Sequence, residues 1–146
     1  MLNSRVQISI ATRRDDVGKI FLLRYKVFVL EQGFAESIEI DDNDNESTFL
    51  IAKEGNEVIG TLRLFKKDGN VMLGRMAVEK AWRHKGIGNA LVREAIPIAL
   101  KLGGAYIVAH AQVRAIDFYI KSGFTPFGEE FDEDGVQHRI VRMRLS

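Results

Sequence analysis

The 146-residue sequence contains no cysteine, which removes disulfides, thiolate nucleophiles and Cys-based metal sites. Its only histidines, His84, His110 and His138, lie far apart, and no HExxH occurs, so no metal site is expected. No GxSxG segment is present to serve a serine hydrolase. There are only two prolines, and no repeat, low-complexity tract or Pro/Ser-rich linker interrupts the chain. Its length fits one domain, residues 1–146, with a sizeable core. Net charge is only +1, so bulk electrostatics recruits neither nucleic acid nor an anionic membrane. No apolar run approaches the roughly 20 residues of a membrane span. The start, MLNSRVQISIATRR, lacks the basic-then-apolar order of a signal peptide. Together these absences fit a cytoplasmic globular protein.

What remains is a patterned α/β sequence. Arg5–Ala11 alternates and reads as a strand, and Thr12 with Asp15 resembles a capping box opening a helix over Asp16–Leu30. Gln32–Glu46 reads as a loop rich in acids: Glu36, Glu39, Asp41, Asp42, Asp44 and Glu46. Such a loop is either plainly solvated or steers a cation. Strands follow at Thr48–Lys53, Glu57–Phe65 and Val71–Val78, separated by the turn signals Gly55-Asn56 and Asp68-Gly69-Asn70. Gly86–Leu102 reads as a long helix with Pro97 inside it, where the lost hydrogen bond should produce a kink. Ala105–His110 is a short apolar strand suited to a buried position. Val113–Lys121 reads as a short helix, with Ile116 and Ile120 packing on one face and Tyr119 on another. Strands Thr125–Glu130 and His138–Leu145 flank a turn at Asp132–Gly135, in a second acidic run that reads as a solvated turn. Hairpins followed by strand–helix–strand–helix–strand imply a mixed α/β sheet.

The densest positive charge meets the most permissive backbone in RHKGIGNAL, residues 83–91. A helix N-terminus offers unpaired N–H groups and partial positive charge, and glycine lets a ligand approach the backbone. Arg83, His84 and Lys85 would add charge to such an anion seat. A P-loop needs Gly-Lys-Ser/Thr, whereas Lys85 precedes Gly86 and no Ser/Thr follows Gly88. The dinucleotide fingerprint wants a third glycine or alanine and an opening βαβ unit, which a mid-chain segment after hairpins does not supply. The remaining pattern is Arg-x-x-Gly-x-Gly after a strand, matched by Arg83, Gly86 and Gly88.

That pattern resembles the pyrophosphate signature of the GNAT family of N-acetyltransferases. Two further segments resemble the same family, in its order: Leu73-Gly74-Arg75-Met76-Ala77-Val78, and Gln112-Val113-Arg114-Ala115-Ile116-Asp117-Phe118-Tyr119-Ile120-Lys121-Ser122-Gly123-Phe124. Gln112 departs from the pattern, which has Asn there. Val27–Gln32, the Asp41–Asp44 loop, His110-Ala111-Gln112 and Glu133–His138 are similar to the ElaA-like branch, with Gln137 where that branch has Pro.

The resemblance implies a single-domain acyl-CoA N-acyltransferase fold, a mixed, mostly antiparallel sheet flanked by helices. It implies acetyl-CoA as co-substrate and a primary amine, small-molecule or protein, as acceptor; homodimers are common in the family. The pyrophosphate would take N–H groups from Lys85, Gly86, Ile87, Gly88 and Asn89. The pantetheine arm would pair with Met76, Ala77 and Val78 like an added strand. The family's bulge in that strand, and its divergence from the next, would admit the thioester. Gln112 would contact the cofactor near Tyr119. Tyr119 is the expected general acid for the CoA thiolate, and Glu31, His110, His138 or water chains are candidate bases. The missing cysteine favours direct transfer in a ternary complex. A non-catalytic acyl-CoA sensor would share the anion seat, and a nucleotide-phosphate binder is a third, weaker reading.

Overall fold

The hairpin turns dictate the sheet. Asp68-Gly69 and Asp134-Gly135 both place two consecutive residues at positive φ (53° and 81°; 55° and 82°), the backbone of a type I′ hairpin. In the computed structural model, which describes residues 5–146, they close β3 (Glu57–Lys67) onto β4 (Asn70–Val78), and β6 (Thr125–Glu133) onto β7 (Val136–Arg144). The turn at Gly55 joins β2 (Thr48–Glu54) to β3, and β1 (Val6–Ile10) pairs antiparallel with β2. β5 (Tyr106–Gln112) completes one seven-stranded sheet in the order β1-β2-β3-β4-β5-β7-β6. Every pairing is antiparallel except β4–β5. Met1–Ser4, part of the segment read for a leader, lie outside the described residues.

Alternation along the strands assigns each face a helix. Leu50, Ile59, Leu62, Leu64, Val71, Ile107, Ala109 and Val141 are buried against Leu91, Val92 and Ala95 of α3 (Ile87–Leu102). The opposite face buries Ile51, Val58 and Ala77 against Ile20, Leu23 and Val27. Each fully buried aliphatic side chain contributes about 1.5–3 kcal/mol. α3 runs unbroken through Pro97. α4 (Ile116–Lys121) follows a 3-10 turn at Val113–Ala115 rather than starting at Val113. Ile120 is nearly half exposed, so it does not pack as its spacing suggested; Tyr119 faces inward instead.

Two local expectations fail. The first helix, α1 (Arg14–Arg24), has Arg13 at its N-cap with no side-chain bond, so Thr12 does not cap it. Asp16 is drawn instead to Lys53 on β2, at 3.0 Å. Beyond Arg24 the helix widens into a π-helix, Tyr25–Glu31, closed by the i→i−5 bond from Gln32 N–H to the Val27 carbonyl. Such widenings recur at functional sites. This one keeps Val27 in the core while Phe28 and Gln32 line a cavity.

The acidic loop is neither plainly solvated nor free to steer a cation. It contains α2 (Glu36–Glu39) and a 3-10 turn (Asp42–Glu46), and three of its acids pair with arginines from elsewhere in the fold. Arg24, fully buried on α1, binds the Glu39 carboxylate and carbonyl and both Asp44 oxygens. Arg63 on β3 binds Asp41 at 2.7 and 2.9 Å and Asp44 at 2.9 Å. Arg75 on β4 binds the Ile38 and Glu39 carbonyls and Asp41. Only Glu36, Asp42 and Glu46 stay in solvent.

Burial alone would raise the Asp41 and Asp44 carboxyls, but the guanidinium bonds outweigh it and hold both below the usual range. Unfolding releases them to titrate near about 3.9. A carboxyl depressed in the folded state adds stability above that value and loses it as pH falls through the folded value. Urea midpoints should therefore stay level between about pH 7 and 5 and fall at about pH 3, less steeply in an Asp44→Asn chain. Equal slopes in the two chains would contradict this role for Asp44.

Candidate active site

The sheet's regularity breaks at β4. Thr61 of β3 faces Ala77 and Arg63 faces Gly74, so Arg75 and Met76 together oppose Leu62. The extra residue is a β-bulge, and Arg75 takes the left-handed backbone (φ 48°) that it requires. β4 also pairs with β5 only at Val71–Ile107 and Met72–Val108. Beyond that the strands part, and β5 continues on β7 as far as Gln112 opposite His138. Ala77 and Val78 thus keep their β3 partners, and residues 76–78 have no strand on their other edge among the described residues.

The three motif segments meet at this wedge. A Cβ on Gly88 would lie 3.1 Å from the Phe118 ring and 3.7 Å from Met76 Sδ. Glycine at 88 therefore lets α3, α4 and the bulge pack together. Gly86 serves differently: it is the N-cap of α3 at φ 85°, with open space where a Cβ would go. Its conformation, rather than its bulk, demands glycine. No side chain caps α3 there. Ile87 anchors the start of the helix by burying its side chain against Gly60 of β3.

The charges beside this N-terminus divide unevenly. Arg83 is not a free auxiliary cation: its guanidinium grips Glu31 at 2.6 and 2.7 Å and the Val78 carbonyl at 3.0 Å. The same bonds hold the Glu31 carboxyl below its usual range. Glu31 thus ties the π-helix to the end of β4, and it does not line the cavity beside the bulge. Lys85 Nζ lies 5.3 Å from the Trp82 ring, a cation–π contact. His84 sits at positive φ (63°). Ser122 donates to the Asn89 side chain at 2.7 Å, linking α3 to the end of α4.

A cavity of about 510 Å³ opens beside the bulge, and Tyr119, His110, His138 and Gln112 all line it. Tyr119 is 8 % exposed, and burial raises its phenol well above the ordinary value, so the hydroxyl keeps its proton at neutral pH. Phe118 and Phe124 meet its ring edge-on at 5.2 and 5.3 Å and fix its orientation. Gln112 donates to Gln32 at 3.0 Å and accepts from Arg114 at 2.9 Å, so its amide bridges β5 to the end of the π-helix.

His110 and His138 lie on one face of neighbouring strands. Glu133, absent from the sequence-derived candidates, joins them: its Oε1 is 2.8 Å from His110 Nδ1 and its Oε2 is 3.7 Å from His138 Nε2. Phe131 lies edge-on to His110 and stacked on His138. A two-residue excess, 128–130 opposite Arg139 alone, lets β6 deliver Phe131 and Glu133 to this face. The signal was available, because the Asp134-Gly135 turn fixes Glu133 opposite Val136 and Phe131 opposite His138. Among the described residues no group of three or more His, Asp or Glu is arranged to hold a metal. No helix there is long and apolar enough to cross a membrane.

A mixed seven-stranded sheet whose bulged strand parts from its parallel neighbour at a helix N-terminus defines an acyl-CoA N-acyltransferase fold. Residues 14–146 match the acetyltransferase (GNAT) domain model, and the chain belongs to the GNAT family of acetyltransferases. It is 32 % identical over 130 residues to the uncharacterised N-acetyltransferase YjcF of Bacillus subtilis, covering 88 % of this chain and 93 % of that one. Protein ElaA of Escherichia coli is 28 % identical over 121 residues, covering 80 % and 79 %. A Lactobacillus plantarum crystal structure, described as an N-acetyltransferase candidate, superposes with a TM-score of 0.89 at 27 % identity, over 97 % of this chain and 99 % of that one. A GNAT acetyltransferase from Elizabethkingia anophelis, solved with acetyl-CoA bound, shares the fold at a TM-score of 0.75 and 20 % identity, over 98 % and 100 %.

Proposed function

We propose that this protein transfers the acetyl group of acetyl-CoA directly to a primary amine while both are bound. The observation that carries the reading is the meeting of Met76, Gly88 and Phe118 where β4 and β5 part, with Tyr119 on the cavity wall. Family membership and the acetyl-CoA seen in the E. anophelis relative support the choice of donor.

In this reading N–H groups of residues 85–89 at the uncapped start of α3 take the pyrophosphate. The edge of Met76–Val78 that no strand covers takes the pantetheine arm as an added strand. A backbone N–H freed at the bulge, at Met76 or Ala77, donates to the thioester oxygen as charge develops there, worth about 3–4 kcal/mol in comparable sites. The ammonium first gives a proton to His138 Nε2. The amine nitrogen then bonds to the carbonyl carbon and the carbon–sulfur bond breaks. The departing sulfur takes the Tyr119 proton, and the surplus proton on the new amide nitrogen returns to Tyr119 through solvent. The protein acts in the cytoplasm, where acetyl-CoA and free amines occur together.

Gly86 and Lys85 separate backbone shape from charge in donor binding. Gly86→Val forces a β-branched residue into the left-handed region and should weaken acetyl-CoA binding by about ten-fold or more, whereas Lys85→Ala should cost about three-fold or less. Titration calorimetry on both variants checks the order, and its reversal would contradict the assigned roles. The activity itself is tested by following CoA thiol release from acetyl-CoA over a panel of alkylamines, diamines, amino acids and peptides. Amine-dependent release is expected. Acetyl-CoA binding without release on any amine is the behaviour of an acyl-CoA sensor and would overturn the enzymatic reading.

A further inference from the structure

Two proton acceptors face each other across a gap in the cavity wall. His138 is 5 % exposed, and its Nδ1 lies 2.7 Å from the Val136 carbonyl oxygen. A carbonyl only accepts, so Nδ1 carries a hydrogen, and in the neutral tautomer that this bond selects Nε2 presents a bare lone pair. That lone pair stands 3.7 Å from Glu133 Oε2, beyond hydrogen-bond range. The carboxylate is not free to turn while His110 Nδ1 donates to its other oxygen at 2.8 Å. Nor can the rings swing freely, since Phe131 packs against both, with centroids at 5.4 and 6.0 Å. Nε2 and Oε2 are thus a fixed pair of acceptors lacking a donor between them, and both residues line the cavity.

We propose that this gap is the seat of the acceptor's ammonium group, with Glu133 the residue that selects a cationic primary amine. A nitrogen about 2.8 Å from each acceptor subtends an angle of roughly 80° across the gap, so two ammonium hydrogens reach both with modest bending. Hydroxyl and thiol acceptors offer one hydrogen and no charge, and satisfy only one side. The seat rests on the acetyl-transfer reading and deepens it. Nε2 is placed to take one ammonium hydrogen, which bares the nitrogen lone pair, while Glu133 balances the imidazolium so formed. His110 acts through Glu133, holding the carboxylate in place.

The test has two readouts on the full chain. In protein labelled with nitrogen-15 at histidine, a long-range proton–nitrogen spectrum should show His138 in the neutral Nδ1–H form. Adding 1,4-diaminobutane should shift its Nε2 resonance, and 1,4-butanediol should not. Kinetically, Glu133→Gln should raise KM about ten-fold or more for the amines that are turned over and leave KM for acetyl-CoA within about two-fold. Glu133→Asp, which keeps the charge, should recover part of the loss. A His138 already protonated at both nitrogens, a diamine that leaves Nε2 unmoved, or an unchanged amine KM in Glu133→Gln would each overturn the seat. Should no amine in the panel be acetylated, the acetyl-transfer reading fails, and the diamine titration alone decides whether the gap binds an ammonium.

Discussion

Tyr119→Phe should lower turnover by about a hundred-fold or more and leave acetyl-CoA affinity within about two-fold, the result expected if Tyr119 is the general acid. The substitution removes one oxygen and keeps the ring that Phe118 and Phe124 grip, so it opens no cavity in the core. The hydroxyl has no hydrogen bond to another described residue, so its loss strands no partner. Burial keeps it protonated, as a donor to a departing thiolate must be. Steady-state kinetics with calorimetry of acetyl-CoA binding separates the two effects. Unchanged turnover would assign the proton to water or another group; an equal loss of binding would make Tyr119 a packing residue.

Arg24→Met should destabilise the protein by about 3–5 kcal/mol, because it takes from Glu39 and Asp44 the buried cation they share where water hardly reaches. Arg24 is 0 % exposed, and the Asp44 side chain is only 7 % exposed. Met fills the space of the aliphatic stem, which limits the void that loss of the guanidinium leaves. Arg63 would still hold Asp44 at 2.9 Å, which makes Glu39 the more stranded partner. Glu36→Ala on the same segment changes an exposed carboxylate and should stay within about 0.5 kcal/mol. Urea denaturation of the two variants measures the contrast. A cost below about 1 kcal/mol for Arg24→Met would mean that the loop swings out and solvates its acids. Because Glu39 and Asp41 line the cavity, amine turnover should fall as the loop loosens even where acetyl-CoA still binds.

The local chemistry of turns and strands was legible in the chain, and the partners of charged side chains were not. Asp68-Gly69 and Asp134-Gly135 announced hairpins because only a few residue types accept two positive φ values in succession. The backbone of the candidate anion seat was legible for a related reason: a left-handed Gly86, an uncapped helix start and the tight contact at Gly88 are backbone requirements that restrict sequence. The acids of residues 36–46 looked like a solvated loop because their partners, Arg24, Arg63 and Arg75, lie on a helix and two strands elsewhere in the chain. Glu31 looked like a candidate base for the same reason, with its partner Arg83 52 residues away. The π-helix left no trace, since the spacing of Val17, Ile20 and Phe28 suits an α-turn equally well. Glu133 was hidden inside a run of acids, although counting register back from the Asp134-Gly135 turn would have placed it beside His138.

The most direct test is a crystal structure of the protein with CoA. The sulfur should lie within about 3–4 Å of the Tyr119 hydroxyl, the pantetheine arm should run along Met76–Val78, and the pyrophosphate should rest on the N–H groups from Lys85 to Asn89. A CoA molecule bound elsewhere, or one whose sulfur points away from the wedge between β4 and β5, would contradict the assignment of this cavity as the site of acetyl transfer.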